Sequence, residues 1–371
     1  MITCAADCLP GDVRYKVESL DTLDRHLKTL IDESKLHSAS YILSRYGKVF
    51  SCKSFGPLTY KNSAVPFGTD SIRNIGSITK AFTAVAILQL IERGLIHLYQ
   101  PVMEIIGEFD DAVHERITIF HLLTHTAGIV ADPGYFSETD VDEDLFWNRF
   151  GKNGWIADIL KETDVKSFET NWNYSSSSYA LLGEIICRTS AQGYKEFIHQ
   201  NIIRPLGLTN TWLGDMPESC LDRMCFASKN DESFFMNYYR KDSPLYASGG
   251  IDTTLTDLYT FARMLLNYGL HDNKQILSRQ SVETMTTNQL KNQFAFFWGQ
   301  KIDDFKFGLG AKIIDDEGIT KGSYEFSGSG FSFINCDPEK EFVAAWFVPM
   351  NVSCFYEAHE GVRNIIWKGI Q

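Results

Sequence analysis

The chain has 371 residues, 44% apolar and 22% charged, with a net charge of −12. That length exceeds a usual single core, so one large domain or two intertwined ones are expected. The acidic balance argues against nucleic acid as a partner, because a phosphate-binding face needs a surplus of Lys and Arg.

At the start, Met1-Ile2-Thr3-Cys4-Ala5-Ala6-Asp7-Cys8 lacks a basic stretch followed by an apolar run, so no secretory leader is read. Residues 21–35 repeat Leu20, Leu23, Leu27 and Leu30-Ile31 at helical spacing. Ser38 to Phe55 reads as two strands joined at Tyr46-Gly47. A long helix is expected from Ser77 to about Leu98; its apolar run, Ala81 to Ile91, is too short to span a bilayer. No membrane partner is therefore expected. Helical signals dominate to about residue 215, with turns at Gly128, Pro133-Gly134 and Gly154. Leu255 to Tyr268 reads as a helix stopped by Gly269. Lys306 to Ile314, Tyr324 to Asn335 and Glu341 to Val348 are aromatic and β-branched like strands, with a turn at Asp337-Pro338, and a helix from Glu357 to Trp367 closes the chain.

Strands at both ends and helices between them predict an α/β (α+β) fold: an antiparallel sheet built from both chain ends, flanked by helices, plus an all-helical lobe. The boundaries read as 1–80 and 235–371 for the sheet domain and 81–234 for the lobe, with a site in the cleft between them. The eight cysteines are scattered, with no C-x-x-C pair, which argues against zinc. They read mostly as reduced, packed thiols of a cytoplasmic protein, and a disulfide stays compatible.

Three segments carry chemistry. Ser77-Ile78-Thr79-Lys80 places a hydroxyl and an amine on one helix face, where the amine can take the serine proton. In Trp172-Asn173-Tyr174-Ser175-Ser176, a tyrosine reached by an ammonium can have its pKa lowered and serve as base and then acid. Glu325-Phe326-Ser327-Gly328-Ser329 offers small residues on a strand, whose free N–H groups can receive a substrate. Taken singly, each has a plain structural reading too: a helix-capping serine with an exposed lysine, a packed tyrosine, a glycine-rich bend. Neither a G-x-S-x-G elbow nor an H-E-x-x-H pair occurs, against an α/β-hydrolase and a zinc hydrolase.

In chain order, Arg73-Asn74-Ile75-Gly76-Ser77-Ile78-Thr79-Lys80, His121-Leu122-Leu123-Thr124-His125-Thr126-Ala127-Gly128, Trp172 to Gly183, Pro205-Leu206-Gly207-Leu208-Thr209-Asn210-Thr211 and Ser248-Gly249-Gly250-Ile251 resemble the serine β-lactamase and penicillin-binding-protein superfamily, in its class C and esterase-like branch. The resemblance implies the β-lactamase/transpeptidase-like fold and a serine acyl-enzyme mechanism. Ser77 would be the nucleophile, Lys80 and Tyr174 would shuttle its proton, and the backbone N–H groups of Ser77 and Ser329 would bind the oxyanion. Ser176, Phe326, Ser327 and Gly328 would meet the substrate. It implies no metal, no organic cofactor, and structural roles for His121 and His125.

Two departures bear on substrate. A hydroxyl, Ser176, stands where the family has an amide, and Phe326 stands where it has Lys or His. Loss of that cation removes a partner for a substrate carboxylate. The expected partner is a small-molecule acyl substrate, an ester, thioester or amide of an apolar acyl group, cleaved or transferred. A β-lactamase or D,D-peptidase is the alternative, and a silent ligand-binding protein of the same fold is another. Phe294, Phe296, Phe297, Trp298, Tyr135 and Phe136 are read as packing residues or as the wall of an acyl pocket.

Overall fold

A computed structural model describes residues 2–3, 5–133, 135, 154–163, 168–234, 246–297, 300–350 and 352–371. Strand β1 is Ile2–Thr3 and helix α1 is Val17–Asp32, whose Leu20, Leu23, Leu27 and Leu30 form its buried stripe. Strands β2 (Ala39–Arg45) and β3 (Lys48–Phe55) form the expected hairpin. Tyr46 and Gly47 both have positive φ at the bend (54° and 74°), which matches the twist of a two-residue hairpin turn.

Helix α2 is Thr79–Glu92, α3 is Ser176–Ser190 and α4 is Leu255–Leu266. At the far end lie β4 (Lys312–Ile313), β5 (Tyr324–Gly328), β6 (Ser332–Asp337), β7 (Phe342–Phe347) and α5 (Val362–Lys368). One sheet runs in the order β1-β3-β2-β7-β6-β5-β4, with every neighbouring pair antiparallel. Both ends of the described chain therefore meet in it, at β2 beside β7.

Every residue of β2 is buried, because the sheet is covered on both faces. Tyr41 and Leu43 join Leu23, Leu27, Phe333, Trp346 and Ile366 under α1 and α5. Ile42 points the other way, into a larger core with Phe82, Phe261, Ile334 and Val343. Period-2 alternation thus feeds two cores rather than one core and solvent. Helix α2 is buried on all sides from Thr79 to Leu90 and stacks Phe82 on Phe261 of α4 at 3.8 Å.

Three local expectations change. The Ser77 helix starts with a 3-10 turn, Gly76–Ile78, and stops at Glu92, two residues before Gly94 at φ 69°. Tyr324 to Asn335 is a hairpin rather than one strand: Ser329, Gly330 and Phe331 turn it, with Phe331 at φ 54°. In Lys306 to Ile314 only Lys312–Ile313 pairs as a strand, because Gly308 and Gly310 bend the chain and Gly308 N–H bonds to Ala311 O at 2.7 Å. Among the described residues the middle is mostly helical and also holds two short strands, Asn171–Trp172 and Thr211–Leu213. Cys52 is disulfide-bonded, and Cys8, Cys187, Cys220, Cys225, Cys336 and Cys354 are free. None of the described helices is long and apolar enough to cross a membrane.

Candidate active site

The Arg73-Asn74-Ile75-Gly76 run anchors the turn that presents Ser77. Arg73 is buried and donates to Cys225 O at 2.8 Å, to Asp231 Oδ2 at 2.7 Å and, from Nε, to Gly330 O at 3.0 Å. Asn74 Oδ1 receives Gly76 N–H at 3.0 Å. Gly76 has φ 50°, and a Cβ there would lie 2.6 Å from Ser329 Oγ and 2.8 Å from Ser329 N. Only glycine lets the two backbones come this close. A Cβ on Gly328 would in turn meet Ile75 O at 1.9 Å and Ser77 N at 3.1 Å. The N–H groups of Ser77 and Ser329, the expected oxyanion donors, thus sit on two backbones in contact.

Ser77 is half-buried at the start of α2, and Lys80 lies one turn later with its side chain enclosed. Lys80 Nζ lies 3.1 Å from Ser77 Oγ, 3.2 Å from Ser176 Oγ and 3.0 Å from Ser248 O. Burial pulls its pKa down to about 8, against the opposing charge of Asp132. An appreciable neutral fraction is thus available near neutral pH, as a base for a serine requires.

Tyr174 is held from both sides. Asn173 N–H donates to His125 O at 2.8 Å, Ser175 N–H donates to His125 Nδ1 at 3.1 Å, and Asp132 N–H donates to Tyr174 O at 2.8 Å. Lys80 Nζ sits over the Tyr174 ring face, 4.6 Å from its centroid. The expected lowering of its pKa does not occur. Burial drives it well above the ordinary phenol value, Tyr135 and Asp132 add to this, and the hydrogen bond to Ser77 opposes it only in part. Tyr174 therefore holds its proton more tightly than a free phenol, whereas Lys80 gives its proton up more readily than a free amine.

Asp132 is a site residue that the sequence does not disclose. Its Oδ1 accepts Ser176 N–H at 2.7 Å and its Oδ2 accepts the Ser176 hydroxyl at 2.6 Å, at the first turn of α3. Only the position of Asp132 just past Gly128, beyond the His121 to Gly128 segment, hints at it. His125 is 1% exposed, and burial, then Lys80, keep it neutral. It packs among Trp172, Tyr174, Tyr179 and Phe307. His121 accepts Thr118 N–H at Nδ1 (3.1 Å) and lies 3.1 Å from Glu169 Oε1.

On the strand side, Phe326 is 4% exposed and joins the larger core, where its ring meets Tyr324 edge to face at 6.0 Å. It also borders the cleft, as do Ser327, Gly328 and Ser329, of which Ser327 and Ser329 are exposed. The opposite face of β5 is tied down by charge. Glu325, 2% exposed, bonds to Lys312 Nζ at 3.0 Å, His359 Nε2 at 3.0 Å and Arg363 Nη1 at 2.8 Å. Burial alone would raise its pKa; the three basic partners outweigh that and hold it well below the carboxylate range.

The cleft encloses about 1290 Å³ and has Ser77, Lys80, Tyr174 and Ser176 in its lining. One wall is aromatic. Tyr135 lies 4.5 Å from Tyr174 and 5.2 Å from Phe297, and Phe305 lies 4.5 Å from Trp172. The hairpin strand Phe294–Phe297 is pinned there by pairing with Asn171–Trp172, two residues before Tyr174. Phe297 and Tyr135 thus border the cleft. Phe294 and Phe296 pack on each other at 5.5 Å. Phe136 and Trp298 lie outside the described residues.

Residues 23–353 match the family described as Beta-lactamase. The chain is similar to penicillin-binding protein 4* of Bacillus subtilis (strain 168), 30% identical over 197 residues, 50% of this chain and 41% of that protein. The chain therefore spans about two fifths of that relative's length. Among solved structures, a class C beta-lactamase shares the fold with a TM-score of 0.72 at 16% identity, covering 96% of this chain and 97% of that one. EstCE1, described as a hydrolase with promiscuous acyltransferase activity, does so with a TM-score of 0.71 at 15% identity, over 94% and 99%.

Proposed function

The chain belongs to the Beta-lactamase family, and from that premise we propose that it is a serine hydrolase that forms an acyl-enzyme on Ser77. The observation that carries this reading is the 3.1 Å contact between Ser77 Oγ and a buried Lys80 whose pKa is pulled to about 8. A neutral Lys80 takes the Ser77 proton as Oγ attacks the substrate carbonyl carbon. The oxyanion is received by the N–H groups of Ser77 and Ser329. The tetrahedral intermediate then collapses, and the leaving group takes a proton from the Tyr174 hydroxyl, which Lys80 restores. Water, or an alcohol or amine, attacks the acyl-enzyme in the second half; with water the reaction is hydrolysis, with the others acyl transfer.

The substrate we favour is an ester, thioester or amide of an apolar acyl group. Phe326 in the slot where relatives hold a cation removes a carboxylate partner, and the wall of Tyr135, Phe297 and Trp172 supports an apolar group. Acyl transfer is the reading that EstCE1 supports by likeness of fold. β-Lactam hydrolysis is the alternative, supported by the class C neighbour, and a silent binding protein is the other. We also assign a cytoplasmic location, which six free thiols support and the Cys52 disulfide opposes; fractionation of the producing cell decides it.

The test is incubation with a fluorophosphonate and, separately, with short p-nitrophenyl esters, beside Ser77→Ala. Intact mass and released nitrophenol are expected to report an adduct and turnover that both vanish in the variant. A folded native protein that gives neither supports the silent reading, and penicillin turnover above that of the esters supports the β-lactamase one.

A further inference from the structure

Both N–H groups of a neutral Lys80 have acceptors, Ser176 Oγ at 3.2 Å and Ser248 O at 3.0 Å. The remaining position on nitrogen, the lone pair, then faces Ser77 Oγ at 3.1 Å. This assignment holds only while Ser176 is an acceptor towards Lys80. Its single hydrogen must go elsewhere, and it goes to Asp132 Oδ2 at 2.6 Å. With that hydrogen free, Ser176 would donate to the lysine lone pair and occupy the base. Asp132 is 6% exposed and its other oxygen accepts Ser176 N–H at 2.7 Å, so both carboxylate oxygens are aimed at one residue.

We propose that Asp132 is a positioning residue of this site, which commits the Ser176 hydroxyl as an acceptor and so turns the lone pair of Lys80 towards Ser77. When the serine proton moves to Lys80, the new ammonium keeps its bond to Ser176 Oγ, and the carboxylate one hydroxyl away stabilises the charge. The titratable groups facing Lys80 are Asp132 through Ser176, Tyr174 and Tyr179 with ring faces 4.6 and 5.8 Å from Nζ, and neutral His125. Asp132 is the anion among them, and its charge holds the Lys80 pKa up against burial.

The inference rests on the acyl-enzyme reading, and the experiment separates the two. The full chain and the variants Asp132→Asn, Ser176→Ala and the double variant are compared on p-nitrophenyl butyrate across pH 6–10, with circular dichroism for folding. Each single variant is expected to lose kcat by roughly 10- to 100-fold, as a misdirected base does, with KM within about threefold. The double variant is expected to be no slower than the slower single, because both break one relay. In Asp132→Asn the acid limb of kcat moves to lower pH, since removing the anion lets burial depress Lys80 further; in Ser176→Ala, which keeps the anion, it moves less. If Asp132→Asn does not fold, Ser176→Ala carries the kcat arm alone. Unchanged kcat in a folded variant, multiplying losses, or an unmoved limb in Asp132→Asn overturns the proposal. A native protein that forms no fluorophosphonate adduct refutes the acyl-enzyme reading first, and this one with it.

Discussion

Two buried polar clusters flank β5, and they resolve the same physical problem in opposite ways. Behind the strand, Glu325 meets Lys312, His359 and Arg363 directly, so attraction outweighs desolvation and the carboxylate is firmly ionised. Beside Ser77, Lys80 meets the Asp132 carboxylate only across the Ser176 hydroxyl, so desolvation wins and the Lys80 pKa is pulled down to about 8. Direct pairing makes a clamp that keeps the Glu325 carboxylate ionised through the ordinary carboxylate range. Pairing through one hydroxyl leaves a group whose proton can move.

Four substitutions would break or sharpen that contrast. The largest effect is expected at the cleft: Ser77→Ala should cut ester turnover by roughly 10⁴-fold or more, with an unchanged unfolding midpoint, as steady-state kinetics and urea titration would register. Next comes the clamp. Glu325→Ala leaves buried Arg363 with Asp316 as its remaining carboxylate partner and should cost about 3 kcal/mol in equilibrium unfolding. Folded Glu325 binds protons less readily than the unfolded residue. Native stability should therefore rise with pH through the ordinary carboxylate range and be lost as pH falls through the lower folded value, a slope that the variant should lack.

Lys80→Met should behave in reverse. Stability is expected to stay level or rise, because a desolvated amine is removed, while turnover falls by about 10²- to 10³-fold. In the native protein kcat should climb with pH to a half-maximum near 8, and loss of folding rather than of rate in Lys80→Met would erase the contrast. The smallest effect is expected at the aromatic wall. Phe297→Ala should raise KM for a hexanoate ester about tenfold over its effect on acetate, the equivalent of unburying roughly two of the four extra methylenes at ~0.8 kcal/mol each.

Much of the frame is legible in the sequence because its signals are local. The two strand-like runs either side of Tyr46-Gly47, the Leu20–Leu30 stripe and the Ser77–Lys80 spacing each point to their element from neighbouring residues. Tyr324 to Asn335 is harder, since a Gly-Ser-Gly turn between apolar strands has the same composition as a bend within one. Asp132 is out of reach for another reason: its partner Ser176 is 44 residues away, and neither residue carries a pattern that points to the other. The Tyr174 proton is misjudged from sequence because the chain shows the nearby lysine but not how deeply the phenol is enclosed. Proximity can be read from spacing; dielectric surroundings cannot.

The seam between β2 and β7 has a consequence for synthesis. Ala39–Arg45 leaves the ribosome some three hundred residues before its neighbour Phe342–Phe347. In that interval the first hairpin carries an open row of N–H and C=O groups that only a late segment can close. Sheet completion is therefore a late event, set by translation rather than by the speed of local folding. A nascent chain stalled before residue 342 would keep that edge of β2 unpaired and open to pairing with another chain.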